Sequence, residues 1–340
     1  MTHSPTQLDT QPAADSATED PTAYFAATYR AVLGNVERAL SGKPHVARLA
    51  LTCLFAGGHL LIEDVPGVGK TTLAKAIAHS LDASWHRIQF TPDLLPSDIT
   101  GTTVYDQRSG EFDFRPGPVF AHVVLADEIN RASPKTQAAL LEVMEERQVT
   151  ADGQTHEVPQ PFIVIATQNP IDLAGTYRLP EAQLDRFLLR IAVGYPDLAA
   201  ERELLTGRAA TGAPPALGSV ATVDQVAWMA RYTGRIHVTP AVAEYIAALS
   251  HATRDRTDLR LGASPRGSLA LLRAAQSWAA CEGRGYVVPD DVKAVAEPVL
   301  AHRLLLDPEA EIRGVRADQV LAEVLREVPV PAPAESTAAD

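Results

Sequence analysis

Leu60-Leu-Ile-Glu-Asp-Val-Pro-Gly-Val-Gly-Lys-Thr-Thr72 is the stretch that decides the fold of this chain. An apolar run breaks into a turn at Pro66-Gly67, and the turn ends in Gly69-Lys70-Thr71. Beyond it Leu73, Ile77 and Leu81 recur at helical spacing. Strand, Gly-rich loop and helix in that order form a cradle for phosphate. The strand aims the loop, backbone N–H groups converge, and the helix N-terminus adds its positive end. Lys70 is placed to reach the β- and γ-phosphates, and the Thr71 hydroxyl to take Mg²⁺. Asp64 stands five residues before Gly69, where the strict motif has its first glycine. The downstream residues must therefore carry the rest of the case.

The chain has 340 residues, enough for about two domains. Its 46% hydrophobic and 21% charged content is ordinary for a globular protein. A formal charge of −12 argues against a surface built wholly to grip nucleic acid or anionic lipid. Cys53 and Cys281 lie far apart, without metal-ligand or disulfide spacing, and fit a reducing compartment. No basic segment followed by an apolar core opens the chain, and no apolar run approaches the ~20 residues needed to span a bilayer. A cytoplasmic location without membrane insertion is expected.

Residues 1–21 are polar and Pro/Ala-rich and predict a disordered tail, as does 328–340. From 22 to 194 helix and strand patterns alternate. Helices are expected at Tyr24–Leu40, His45–Phe55 and from Ser133-Pro134 to about Arg147. Strands are expected at Arg87–Phe90, Val119–Ala126, Phe162–Ala166 and Phe187–Val193. Such alternation predicts a parallel sheet covered on both faces. From 195 to 327 strand patterns nearly vanish. Thr222-x-x-Gln225, Thr239-Pro240, Ser264-Pro265 and Pro289-Asp290 each open a helix, which predicts a smaller helical domain. Residues 207–221 read as a link.

Hydrolysis of a phosphoanhydride needs a carboxylate for Mg²⁺, a group that orients water and cations for the developing charge. Val123-Val-Leu-Ala-Asp127-Glu128 is an apolar strand ending in two acids. Asp127 suits the metal, and Glu128 suits a general base. Asn169, at the polar end of Phe162-Ile-Val-Ile-Ala-Thr-Gln-Asn169, offers an amide to water or the γ-phosphate without titrating. Arg186 follows a helical stretch and can project towards a neighbour; Arg131, just past the acidic pair, competes for that role. Arg266 sits in the first turn of a helix, where the helix dipole disfavours a cation. That placement implies an anion nearby, such as the γ-phosphate.

Taken together, the motifs resemble those of the MoxR family of AAA+ ATPases. They are Glu63–Thr71, Phe90–Asp98, Asp127–Arg131, Pro134–Thr150, Ala166–Pro170, Leu179–Phe187 and Ser264–Arg266, within a resemblance covering roughly residues 30 to 305. It implies an α/β fold: an AAA+ P-loop NTPase core, a parallel sheet flanked by helices, with a smaller C-terminal all-helical lid. It implies that ATP is bound by Asp64, Val65, Pro66, Gly67, Val68, Gly69, Lys70, Thr71, Thr72 and Asp127, and Mg²⁺ by Thr71 and Asp127. Glu128, Asn169, Arg186 and Arg266 become the catalytic base, sensor 1, trans-acting finger and sensor 2. Adenine is expected near Val32-Leu33-Gly34. Hairpins are expected at Gly101–Phe114, turning at Arg108–Gly110, and at Gln148–Val158, turning at Asp152-Gly153.

The function so implied is ATP hydrolysis to ADP and phosphate in a ring of identical subunits, a hexamer. The resemblance adds a chaperone-like action on client proteins and a partner bearing a von Willebrand factor A domain. Two alternatives stand beside it: a nucleic-acid-stimulated motor, and a nucleotide-gated scaffold with little turnover. The hairpins carry Arg108 but also Asp106, Glu111, Asp113, Asp152 and Glu157, with no basic or aromatic ladder, so no nucleic-acid partner is expected.

Overall fold

The computed structural model describes residues 20–169, 177, 179–211 and 216–331. Most of the two expected tails, Pro170, and residues 212–215 of the expected link lie outside them. Asp20 caps the first helix, α1 (Pro21–Ala39), by accepting the Thr22 N–H at 2.9 Å. Then come α2 (Pro44–Phe55), β1 (Leu60–Glu63), α3 (Lys70–Ser80), β2 (Trp85–Gln89) and the short α4 (Pro96–Thr100). A hairpin of β3 (Gly101–Asp106) and β4 (Glu111–Pro116) precedes β5 (Val123–Asp127) and α5 (Pro134–Glu146). A second hairpin, β6 (Gln148–Ala151) and β7 (Gln154–Glu157), leads to β8 (Ile163–Gln168), α6 (Glu181–Leu184) and β9 (Leu189–Ile191).

The main sheet has the order β2-β5-β8-β1-β9, with every pairing parallel. Its strands are short apolar runs because both faces are covered. Val123 and Leu125 of β5 join one core with Ile163 and Ile165 of β8 and with Leu60 and Ile62 of β1. The alternate residues Val124, Ala126, Val164, Ala166 and Leu61 join a second core with Leu140 and Leu141 of α5. Two-residue periodicity thus divides each strand between two cores. Leu73, Ile77 and Leu81 pack into the first. β1 lies between β8 and β9, both later in the chain, and the loop after it opens at the carboxyl edge of the sheet.

The helices of the second region begin where their caps predict. Thr222, Thr239 and Ser264 each accept a backbone N–H three residues on. They open α8 (Val223–Thr233), α9 (Pro240–Arg254) and α10 (Pro265–Cys281), after α7 (Leu198–Thr211) and before α11 (Pro289–Leu300), α12 (Pro308–Ile312) and α13 (Ala317–Glu327). A small antiparallel pair, β10 (Leu259–Leu261) with β11 (Leu305–Leu306), interrupts them. The first core runs on into this region: Phe25 and Tyr24 of α1 meet Tyr232 and Trp228 of α8 with ring centroids 5.8 and 5.2 Å apart.

Several expectations need correction. The strand expected at Val119–Ala126 starts only at Val123. Close backbone approach at Gly117, where a Cβ would lie 2.3 Å from the Ile99 carbonyl, turns the chain before it. The strand expected at Phe187–Val193 is confined to Leu189–Ile191. Val32-Leu33-Gly34 lies inside α1, with Val32 fully buried, Leu33 half-buried and Gly34 exposed. The chain that reaches the phosphate loop from this side is the end of α1: a Cβ on Gly69 would lie 3.1 Å from Leu40 Cδ1. Both hairpins form as expected. Asp152 and Gly153 take the two positive φ values, 49° and 78°, that a tight two-residue turn requires. Phe114 and His156 stack at 4.0 Å and join the two hairpins.

Candidate active site

Pro66, Gly67, Gly69, Lys70, Thr71, Thr72, Arg87, Gln89, Asp127, Glu128 and Asn169 surround a cleft of about 440 Å³. They come from the ends of β1, β2, β5 and β8 and from the first turn of α3, at one edge of the sheet. Gly67 and Gly69 have φ of 87° and 99°, which turns the loop towards the start of α3. Lys70 donates to the Asp64 carbonyl at 2.7 Å. Burial pushes its pKa down, against the opposing charges of Asp64, Asp127 and Glu128.

The side chains of Asp64, Val65 and Val68 brace the loop. The Asp64 carboxylate accepts the N–H groups of Val65, Val193 and Gly194 at 2.7, 2.8 and 2.6 Å, tying the loop to the chain just past β9. Val68 packs into the core.

At the tip of β5, Asp127 Oδ1 accepts from Thr167 Oγ1 at 2.6 Å, and Oδ2 accepts from Arg87 at 2.7 Å. Glu128 adopts φ 57°, ψ 49°, the left-handed region that a non-glycine residue occupies at a cost. Its N–H is fixed by Thr167 Oγ1 at 2.9 Å. Its Oε2 accepts from Gln89 Nε2 at 3.0 Å and Arg131 Nη1 at 2.9 Å. Sequence reasoning passed over Arg87, Gln89 and Thr167. The signal for the first two lay in the alternation Arg87-Ile88-Gln89-Phe90: the apolar pair is buried and the polar pair faces outwards. Thr167 is wholly buried beside the acids, which neighbouring strand tips alone bring together.

Thr71 and Asp127 offer a hydroxyl and a carboxylate to the same cleft. Such oxygen donors, with room for waters and phosphate oxygens, fit Mg²⁺. The glycine-turned loop and the helix N-terminus beside Lys70 fit a triphosphate.

Arg186 and Arg266 lie elsewhere. With Gly57, Gly58 and Leu188 they line a second cavity, of about 210 Å³, at the amino ends of β1 and β9. Arg186 pairs with Glu145 Oε2 at 2.9 Å, and Arg266 with Glu145 Oε1 at 2.5 Å. The anion expected near Arg266 is thus Glu145, not the phosphate site of its own chain. The four residues of β1 span about 13 Å between the two edges. The Arg266 hydrogen bond, with the charges of Arg186 and Arg266, holds the Glu145 carboxyl below its usual range.

Fold and cleft define a P-loop nucleotide-binding α/β protein with a helical lid. Residues 59–189 match the ATPase family associated with various cellular activities (AAA), and 251–324 match the AAA lid domain. The chain is 42% identical to chaperone MoxR1 of Mycobacterium tuberculosis, over 89% of this chain and 82% of that protein. It is 46% identical to the YeaC protein of Bacillus subtilis, over 87% and 93%. A crystal structure of a candidate ATPase from Cytophaga hutchinsonii, 37% identical, superposes with a TM-score of 0.85 over 92% of this chain and 97% of that one. The chain belongs to the MoxR family of AAA+ ATPases.

Proposed function

We propose that this protein hydrolyses ATP in a ring of identical subunits and uses the energy to remodel client proteins. One placement supports the chemistry above all: Lys70, Thr71, Asp127, Glu128 and Asn169 face a single cleft. Lys70 and the N-terminus of α3 hold the β- and γ-phosphates. Thr71 and Asp127 hold Mg²⁺, which when bound neutralises charge on the phosphates. Glu128 takes the proton of the attacking water, and Asn169 orients that water. The base of the nucleotide rests by Leu40–Lys43, where Lys43 donates to the Tyr195 carbonyl at 2.6 Å and ties the end of α1 to the start of the lid.

The sheet's two edges support the ring reading. Cations at the amino edge cannot reach a phosphate bound at the carboxyl edge of the same chain. A head-to-tail contact between copies would join the two edges, and such contacts form a ring where the rotation between copies closes. Hexameric stoichiometry, the client, a von Willebrand factor A domain partner and a cytoplasmic setting belong to the same proposal and rest on family membership. Among the described residues no helix is long and apolar enough to cross a membrane.

The test pairs two variants. Lys70→Ala is expected to lose binding of a fluorescent ATP analogue. Glu128→Gln is expected to bind it normally and release phosphate at least ~100-fold more slowly. Loss of binding in both variants would overturn the assigned roles.

A further inference from the structure

We infer that Arg87 holds the place of the metal on Asp127: its guanidinium neutralises that carboxylate until Mg²⁺ arrives, and gives it up in exchange. The identity of the metal rests on the ATPase reading above; the exchange itself is tested without turnover.

Asp127 turns its two oxygens to different neighbours. Oδ1 accepts at 2.6 Å from Thr167, a wholly buried residue. Oδ2 accepts twice from Arg87, from Nη2 at 2.7 Å and from Nε at 3.1 Å. A carboxylate oxygen has two lone pairs, so Oδ2 has none left for a metal while Arg87 stays. Among the described residues Arg87 is the one that forms an ion pair with Asp127. Lys70, the other cation lining the cleft, donates to the Asp64 carbonyl instead. The contact also depends on a long side chain. Gln89, not Arg87, stands opposite Asp127 in the register of the sheet. Arg87 lies two residues back, about 7 Å along β2, and runs forward to close that gap. Gln89 Oε1 accepts from Arg87 Nη2 at 2.7 Å and so aims the guanidinium at Oδ2.

The pair adds little to the fold. β2 is already tied to β5 over its whole length, Trp85–Gln89, and Asp127 is already held by Thr167. The Arg87 side chain is 48% exposed and that of Asp127 14%. An exposed ion pair biases an equilibrium by about fivefold at most. The guanidinium can therefore give way to Mg²⁺, which carries two charges and demands oxygen ligands, and the exposed arginine is the partner that moves. What the pair changes is the charge of the cleft. Asp127 and Glu128 are adjacent acids facing the space a triphosphate must enter, and bare carboxylates repel it. Arg87 cancels one of those charges whenever the metal does not, so one cation replaces another and Asp127 is never left uncovered.

The test measures two binding equilibria in Arg87→Met, which keeps an unbranched side chain without its charge. In the first, Mn²⁺ serves as the probe for the metal and is titrated into the full-length protein without nucleotide, with free Mn²⁺ read by electron paramagnetic resonance. The variant is expected to bind Mn²⁺ about fivefold more tightly than the wild type, because no guanidinium has to leave Oδ2. In the second, a fluorescent ATP analogue is titrated in the presence of EDTA. The variant is expected to bind it about fivefold more weakly, because the uncovered carboxylate repels the phosphates. Damage to the local structure would weaken both ligands, so the opposite signs mark the exchange. Combined with Asp127→Asn, Arg87→Met is expected to leave Mn²⁺ affinity where Asp127→Asn alone sets it, since the carboxylate in dispute has gone.

Tighter Mn²⁺ with weaker metal-free nucleotide, both dependent on Asp127, establishes Arg87 as the metal's placeholder. Equal Mn²⁺ affinity in variant and wild type, a gain that persists with Asp127→Asn, or a loss of affinity for both ligands overturns it. Wild-type protein that hydrolyses no ATP defeats the ATPase reading, while the Mn²⁺ titrations still decide the role of Arg87.

Discussion

The Thr167 hydroxyl donates to Asp127 Oδ1 and accepts the Glu128 N–H, so one buried atom fixes both acids at the tip of β5. It also anchors the left-handed backbone at Glu128, which would otherwise relax towards a commoner conformation. Thr167→Val keeps the shape and removes both bonds. Leaving a buried N–H unpaired costs about 1–3 kcal/mol. Glu128 loses its fixed aim, and turnover is expected to fall roughly 10- to 100-fold with nucleotide affinity nearly unchanged. Thr167→Ser restores the hydroxyl and should recover most of the turnover. Steady-state kinetics with nucleotide titrations on the two variants check this; an equal loss in both would assign the effect to packing of the methyl group instead. Asp64 makes the parallel point about the loop. A glycine in its place has no carboxylate for the N–H groups of Val193 and Gly194, so the departure from the strict motif adds a tether to the chain beyond β9.

His59 ties three elements together at the amino edge. Its Nε2 faces the Met144 carbonyl at the end of α5 at 3.0 Å, and its Nδ1 accepts the Val164 N–H of β8 at 3.0 Å, just before β1 begins. Those partners require a neutral ring protonated on Nε2. Burial pushes its pKa down to about 4, from an ordinary value near 6.5. The unfolded chain therefore takes up the proton first. The stability present above pH ~6.5 declines as pH falls towards 4, by on the order of 2 kcal/mol at pH 5 from this residue. His302, buried beside Arg303, is displaced in the same direction. Melting temperatures between pH 7 and 5 should fall less steeply in His59→Gln than in the wild type; parallel slopes would refute the assignment. Elements of this kind were readable where a local rule sufficed: caps at Ser133, Thr222, Thr239 and Ser264, and the turn at Asp152-Gly153. Strand ends at Val119 and Phe187 were misread, because backbone approach at Gly117 and the junction after α6 depend on partners distant in sequence. Asp127, Glu128 and Asn169 were legible as polar ends of apolar runs. Arg87 and Gln89 showed only as the polar half of an alternation, and Glu145 not at all, since surface polar residues look alike until the sheet order sets them beside a partner.

At the scale of the whole molecule, the two candidate fingers lie at opposite edges of the sheet. Arg131 lies at the carboxyl edge and donates to Glu128 Oε2 of its own chain at 2.9 Å. Arg186 lies at the amino edge, beside Arg266, a strand's length away from its own cradle. A residue that serves its own chain and one that serves the next copy respond differently to mixing. Arg186→Ala combined with Glu128→Gln is expected to regain activity: some interfaces then join the intact acids of the first variant to the intact arginine of the second. Arg131→Ala combined with Glu128→Gln is expected to stay near the sum of the two alone, because both defects fall on the same cleft and no pairing of copies assembles a complete one. Phosphate release at a series of mixing ratios measures this directly. A rise with a maximum near equal amounts marks the trans residue, and a straight line marks the cis residue. If the maximum appears for Arg131 and the line for Arg186, copies do not meet edge to edge as proposed, and the arrangement of subunits in the ring must be redrawn around Arg131.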